Sequence, residues 1–358
     1  MINATLQKKG GEMSSLENNF EAWLAECLGA DQLLLDGWTA PKDTGYSNET
    51  NIFDAHVTID GASSVRRLVQ RLGPSGGATM FREYDLERQC RIMLYLKENS
   101  SLPVPNVVGM AMNTDRPYYV MDFIGGDIPK DGHTAADAYT TSGFLFDGTP
   151  EERRRYFDSL ITCMAQLHQV PVTNDFAEFF KRDSGPRTPM QKEADWWIDL
   201  YEWGKGGKDQ NYPQLDDYVD WIGKNIPDMD DCQLVWQDGR PANTIAANYE
   251  VVAMLDWELA TLGPGEQDLF FHLAMHNLRQ KQPGANVLEG VPTEQEQIAL
   301  YEKITGRTVR HEAFFRKWAK FRMAVIQLVF CKAHGIPIDE ISYDGVIDDA
   351  SFINSNYS

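Results

Sequence analysis

The sequence predicts an α+β chain in two lobes, a small antiparallel sheet with one helix followed by a larger and mainly helical part. Three observations carry this expectation. Up to about residue 124, short runs rich in Val, Ile, Phe and Tyr alternate with turn residues, and a single stretch of helical period interrupts them. The Gly125-Gly126 pair closes that texture. From about residue 150 onward, apolar residues recur at helical spacing almost throughout. At 358 residues the chain exceeds a usual single domain, and the glycine pair sets the expected boundary, giving lobes 1–124 and 125–358.

Taken in order, residues 1–13 read as a flexible lead. Ser14 and Glu17 form a capping-box pattern, behind which Phe20, Trp23, Leu24, Cys27 and Leu28 mark one face of a helix. From about 36 to 72 the pieces are strand-like, TNIFDAHVTI and SVRRLVQRL, joined by an Asp60-Gly61 turn. SGGATM is loop. Phe81 to Lys97 places Tyr84, Leu86, Cys90, Met93, Leu94 and Leu96 on an amphipathic helix. Pro103 and Pro105 break the chain before two further strands, VVGMAM and PYYVMDFI. The later helices include ERRRYFDSLITCMAQLHQV, the Trp196-Trp197 segment and AFFRKWAKFRMAVIQLVFCKAH. Among them, QLVW and VVAML flank a polar loop and read as a small hairpin over 233–256.

Composition removes several function classes. A net charge of −20 argues against nucleic-acid binding, which needs clustered Lys and Arg to neutralise phosphates. The acidic surface suits a cationic ligand or serves solubility alone. Five cysteines at wide spacing, without a CxxC pair, point to a reduced, cytoplasmic protein and against a zinc site. The N-terminus has no apolar core of a signal peptide and no run of 18 apolar residues occurs, so neither secretion nor membrane insertion is expected. No G-x-G-x-x-G fingerprint is found. His168, His272 and His276 lack the glutamate of an H-E-x-x-H metal motif and read as core or capping residues.

Chemistry concentrates in LVWQDGRPANTIA and MLDWE. Asp238 and Asn243 stand at D-x-x-x-x-N spacing, and Asp256 ends the next apolar strand. A carboxylate near an attacking hydroxyl, with two oxygen ligands for a magnesium ion on nucleotide phosphates, is what phosphoryl transfer requires. The lone D-x-x-x-x-N pair arises by chance on the order of once in a chain of this length. Its position between two strand candidates, with a second acid at the end of the later one, brings the three side chains toward one place.

Together, WQDGRPAN and VVAMLDWELATLGPGEQDL resemble the aminoglycoside phosphotransferase family, in particular the branch whose loop reads W-G-D-x-R-x-G-N and whose metal motif reads L-D-W-E. TGYSNETNIFDA is similar to that family's phosphate loop and second strand, LVQRL to its nucleotide-lysine strand, YYVMDFIGG to its hinge, and MAQLHQV to the helix before the catalytic region. These motifs cover about residues 40 to 275. The resemblance implies a two-lobed protein-kinase-like fold, ATP and magnesium as cofactors, and a small-molecule hydroxyl as acceptor. It implies Asp238 as base, Arg240 as the loop cation, Asn243 and Asp256 as magnesium ligands, and Asp268 as a brace of the loop.

For the nucleotide, the resemblance implies backbone contacts from Ser47 and Asn48, a phosphate contact from Arg71 where the family has lysine, and a hinge over Met121, Phe123 and Ile124. Gln89 takes the place of the helix glutamate that pairs with that lysine, and it supplies no countercharge. Gln237 stands where the branch has glycine. Each of these residues also has a plain structural reading: Arg67 and Arg71 as exposed strand charges, Gln89 as a surface amide, Met121 and Phe123 as core, Arg240 in a salt bridge. The two departures leave open a nucleotide-binding pseudokinase or scaffold. No A-P-E motif follows Asp256, which disfavours a protein kinase. Trp196, Trp197 and Trp203, with Asp195 and Asp199, read either as an acceptor pocket or, preferably, as core aromatics with solvated acids.

Overall fold

The computed structural model describes residues 15–41, 48–74, 80–82, 84–131, 138–180, 187–206, 212–281 and 284–335. It divides into two compact units, one of residues 1–79, 83–97 and 105–124, the other of 80–82, 98–104 and 125–358. Ser14, half of the expected capping box, and Ser47 lie outside the described residues.

In the first unit, helix α1 (Ser15–Leu28) precedes strands β1 (Gln32–Thr39), β2 (Glu49–Ile59) and β3 (Ala62–Leu72). Helix α2 (Leu86–Asn99) and strands β4 (Val107–Ala111) and β5 (Tyr118–Asp122) follow. The five strands form one antiparallel sheet in the order β1-β2-β3-β5-β4. Asp60 and Gly61, both at positive φ (50° and 78°), make the tight turn that the sequence signals between β2 and β3. Side chains alternate across a strand, so Phe53, Ala55 and Val57 share one face of β2 and pack with Phe20 and Leu24 of α1. Gly109 in β4 lets α1 approach closely: a Cβ there would lie 2.6 Å from Cys27 Sγ and 3.0 Å from the Trp23 ring. Helix α2 starts later than the expected Phe81, because the Asp85 carboxylate accepts the Arg88 N–H at 2.8 Å and so caps the first turn. Strand β1 was not separated by sequence alternation, because Leu33, Leu34 and Leu35 run together without period.

The second unit is mainly helical. It contains α3 (Phe144–Asp147), α4 (Pro150–Leu167), α5 (Asn174–Phe179), α6 (Pro189–Lys205) and α7 (Pro213–Asn225) before its strands. Next come β6 (Gln233–Val235), β7 (Thr244–Ala247), β8 (Glu250–Met254) and β9 (Thr261–Gly263), then α8 (Glu266–Lys281), α9 (Glu294–Thr305) and α10 (Glu312–His334). Helix α10 is the central column. Its Phe315, Trp318, Ala319, Phe321, Val325, Leu328 and Val329 are buried, and it packs against α6, α7 and α8. Among the described residues, no helix is long and apolar enough to cross a membrane.

The strands here correct one expectation. The QLV piece does not pair with VVAM. Instead β6 pairs with β9 and β8 pairs with β7, both antiparallel. The β7–β8 hairpin closes through Asn248 and Tyr249, both left-handed (φ 52° and 62°), as a two-residue turn of that hand requires. Gly126 marks another close approach. Its neighbour Asp127 bridges Ala246 of β7, and a Cβ on Gly126 would lie 2.5 Å from the Ala246 carbonyl oxygen.

Candidate active site

The loop that leaves β6 is fixed from below by one buried carboxylate. Asp268, in the first turn of α8, accepts the main-chain N–H of Trp236 through Oδ2 and that of Gln237 through Oδ1, each at 2.6 Å. The same Oδ2 meets His168 Nε2 at 2.9 Å, and His168 Nδ1 meets the Tyr301 hydroxyl at 2.7 Å. Hydrogen bonds to an ionised acceptor are the strong ones in a dry interior. Asp268 therefore sets the path of the chain into Asp238, the bracing role that the resemblance implies. Gly265 makes room for this arrangement, since a Cβ there would lie 2.4 Å from His168 Nδ1 and 2.5 Å from the Tyr301 oxygen.

Gln237 is held at φ 72°, a region where a Cβ costs about 1–2 kcal/mol. Its surroundings offset that cost. The backbone N–H goes to Asp268, the carbonyl accepts from Arg322 Nη2, and the side-chain Nε2 donates to Gln267 Oε1 at 3.0 Å. A glutamine is thus accommodated where the resembling branch has glycine.

Asp238 follows, partly exposed, and Asn243 closes the loop at the end of a 3-10 turn (Pro241–Asn243). The Asn243 amide donates through Nδ2 to the Asp238 carbonyl at 2.9 Å and to Asp238 Oδ2 at 2.7 Å. This turns its own oxygen away from Asp238. Asn243 is joined to Asp256 through the backbone: Leu255 N–H donates to the Asn243 carbonyl at 2.8 Å, one residue before Asp256. Asp256 itself is left-handed (φ 59°), between Leu255, whose carbonyl accepts Trp236 Nε1–H at 2.8 Å, and Trp257, stacked on Trp236. Asn243 is thus bonded to Asp238 through its side chain and to the residue before Asp256 through its backbone.

Arg240 lies against Asp238, its Nε 3.1 Å and 3.2 Å from the two carboxylate oxygens, and its Nη1 reaches Asp131 Oδ2 at 3.1 Å. Burial alone would lower the Arg240 pKa, but the charges of Asp238 and Asp131 outweigh it and push it above the ordinary value. Asp131 is buried and its other oxygen takes Arg279 Nε, so Arg279, Asp131, Arg240 and Asp238 alternate in charge.

Asn243 and Asp256 offer hard oxygen donors of the kind a magnesium ion prefers. Among the described residues, no group of three or more His, Cys, Asp or Glu could hold a metal. Two protein ligands fit a magnesium ion that draws its remaining ligands from phosphates and water, and do not fit a protein-only cage.

The residues expected to meet the nucleotide lie in the first unit. Arg71 in β3 donates to Thr50 Oγ1 at 3.0 Å and stands opposite Tyr119 in β5. Gln89 is buried, not at the surface, and its Oε1 accepts the hydroxyl of Tyr119, the residue facing Arg71, at 3.3 Å. Asn48 is 5% exposed, with neither side-chain atom hydrogen-bonded. Met121 is in register with Val69 and Val107; Phe123 is exposed beneath the Arg67 guanidinium at 4.9 Å, and Ile124 ends the unit. Of the tryptophans, Trp197 is fully buried, and Asp195 pairs with Arg187 at 3.2 Å.

Three residues of the site escaped the sequence reading: Asp131, Arg279 and Arg322. One signal was present in α8, where Asp268, His272, His276 and Arg279 recur at i, i+4, i+8 and i+11 and are all buried. His168 is the cap residue ending α4, and His272 and His276 are core rings, so the core or capping reading of all three agrees with their places. Burial pushes the pKa of His276 down to about 3, with a smaller push from His272, and lowers His272 as well. The folded chain therefore keeps both rings neutral where the unfolded chain would bind protons, near the ordinary 6.5. Their contribution is full above 6.5 and is lost as pH falls from 6.5 toward 3. Denaturant unfolding at pH 7.5 and pH 5.0 is expected to give the higher stability at pH 7.5, and His276→Asn to shrink that difference.

A cavity of about 470 Å³ in the second unit, lined by His168, Asp231, Cys232, Gln233, Thr305 and Arg307 among others, includes none of Asp238, Asn243 and Asp256 in its walls.

Comparison with known proteins bears on the family and the fold. Curated relatives include a probable acyl-CoA dehydrogenase, IBR3, of Arabidopsis thaliana (26% identical over 70% of this chain and 29% of that protein) and acyl-CoA dehydrogenase family member 10 of Mus musculus (26% over 73% and 24%). The chain spans about a quarter to a third of the length of these relatives. Among solved structures, a Ralstonia eutropha protein provisionally described as an aminoglycoside phosphotransferase superposes with a TM-score of 0.66 at 22% identity, over 92% of this chain and 93% of that one. Macrolide 2′-phosphotransferase MphH of Brachybacterium faecium gives 0.54 at 20%, over 92% and 98%. Aminoglycoside phosphotransferase APH(4)-Ia, in complex with AMP-PNP and hygromycin B, gives 0.57 at 15%, over 94% and 99%. These likenesses establish the two-lobed kinase-like fold. Residues 61–301 match the model of the APH family, described as the phosphotransferase enzyme family, which takes in β3, the braced loop, Asp256 and α8, and this chain belongs to that family.

Proposed function

We propose that this chain moves the γ-phosphoryl group of ATP to a hydroxyl of a small molecule, with Asp238 as base, Asn243 and Asp256 as magnesium ligands, and Arg240 as the cation beside the reacting oxygens. The observation that carries the reading is the double engagement of Asn243. Its side chain holds the Asp238 carboxylate while its carbonyl holds Leu255, so one residue ties the base to the metal-binding acid. Related structures that contain AMP-PNP or ADP beside an aminoglycoside support an adenine nucleotide here.

In the transfer, the acceptor oxygen bonds to the γ-phosphorus and the bond from that phosphorus to the β–γ bridging oxygen breaks. ADP leaves with the electron pair, and the acceptor proton ends on Asp238. Magnesium, when bound, offsets charge on the β- and γ-phosphate oxygens. On the nucleotide side, Arg71 with Thr50 would contact phosphate. Asn48, with an amide unsatisfied by the protein, would find partners there. Met121, Phe123 and Ile124 would receive the adenine, and Gln89 would steady Arg71's strand through Tyr119.

The test is ADP release with magnesium across amino alcohols, sugars and aminoglycosides. Hydroxyacyl thioesters belong in the panel because the curated relatives carry acyl-CoA dehydrogenase names. Acceptor-dependent release by the wild type supports phosphotransfer. ATP binding with no release across the whole panel favours the second reading, a nucleotide-binding scaffold, for which the uncharged Gln89 at the place of the usual glutamate is the specific observation.

A further inference from the structure

Arg322, in α10, is fully buried. Its guanidinium lies over the Phe271 ring of α8 at 4.4 Å and the Trp197 ring of α6 at 4.9 Å. Nη2 donates to the carbonyl of Gln237, the residue before Asp238, while Nε and Nη1 have no hydrogen-bond partner. Among the described residues, no carboxylate forms an ion pair with it. A buried charge is usually kept only when it is paired and fully hydrogen-bonded, because taking it out of water is costly. Here the cation instead lies over two aromatic rings, and its electrostatic partners are the more distant carboxylates of Glu193, Asp268 and Asp238. Burial dominates and lowers its pKa to about 10, which leaves it charged near neutrality.

We infer that Arg322 is a positioning residue for phosphoryl transfer: an interior cation that clamps the Gln237 carbonyl from beneath and so fixes the direction of the Asp238 side chain. It opposes Asp268, which clamps the two N–H groups of the same turn. A left-handed glutamine without both clamps would relax toward a commoner backbone, and Asp238 would turn with it. An interior apolar side chain at 322 would fill the space at least as comfortably as a desolvated cation does, so the charge is explained by the loop and not by packing. The inference rests on the phosphotransfer reading for its effect on rate, but its structural half stands independently.

The experiment compares wild type, Arg322→Met, Arg322→Lys and Asp238→Asn in the full chain, by steady-state ADP release, thermal melting and amide hydrogen exchange of 236–238. Arg322→Met is expected to lower kcat about 100-fold, as misplacement of a reacting group does, with KM for ATP nearly unchanged. Its melting temperature is expected within about 4 °C of wild type, and its loop amides to exchange faster. Arg322→Lys, which keeps charge and donor but not the guanidinium plane, is expected to recover kcat to within about tenfold of wild type.

Full activity in a folded Arg322→Met protein overturns the inference, as does a melting temperature lowered equally in both variants with loop exchange unchanged. Should the Met variant not fold, Arg322→Lys decides alone: folded and active supports the clamp, folded and as inactive as Asp238→Asn contradicts it. If even the wild type releases no ADP, the phosphotransfer reading fails, and loop exchange, faster for Met and slow for Lys and wild type, still scores the clamp.

Discussion

Asp238→Asn is expected to lower kcat by about a thousandfold, within the range over which a positioned general base acts. Asparagine cannot accept the acceptor's proton, yet its side-chain oxygen remains able to take the Asn243 Nδ2–H that Asp238 Oδ2 takes now. Arg240 would lose one carboxylate but keep Asp131, so the loop has no reason to collapse. Steady-state ADP release and a thermal melt check the two halves together: turnover lost, melting temperature changed by no more than a few degrees, and affinity for Mg-ATP retained. Turnover at the wild-type rate would falsify the assignment of the base.

Asp268→Asn should do the reverse in stability. Asp268 accepts two main-chain N–H groups and faces His168, all buried. Asparagine presents one oxygen and one NH₂, so a donor would face the N–H of either Trp236 or Gln237. The lost charge-assisted bond and the unsatisfied buried donor are expected to cost about 3 kcal/mol. Because the path into Asp238 depends on these bonds, kcat should fall as well, by about a hundredfold. Denaturant unfolding measures the first and ADP release the second. A stability unchanged within error would mean that Asp268 is not the brace. The contrast with Asp238→Asn, which removes chemistry but spares the fold, separates the reacting carboxylate from the bracing one.

What was legible in the sequence was what is contiguous. Asp238, Asn243 and Asp256 lie within 19 residues joined by a hairpin, so spacing carried most of their geometry. Asp268 was found because a motif surrounds it. The first-unit sheet followed from alternation in β2 and β3 and from the Asp60-Gly61 turn. Strand β9 has three residues, too few to carry a period, and so the partner of β6 was misassigned. Asp131 meets Arg279 across 148 positions and Arg322 meets Gln237 across 85, distances at which no local rule operates. Those long-range contacts are buried charges, which a sequence displays as ordinary helix or loop residues. The tolerance of glutamine at position 237 likewise depends on Gln267 and Arg322, neither of them near it in the chain.

The central claim is that Asn243 and Asp256 hold the magnesium of bound ATP beside Asp238. Calorimetric titration of ATP, with and without magnesium, into wild type and Asp256→Ala tests it most directly. The account predicts that magnesium tightens ATP binding to the wild type and that this gain disappears in Asp256→Ala, while the variant's melting temperature in the absence of ligand stays close to that of the wild type. An equal gain from magnesium in both proteins would contradict it.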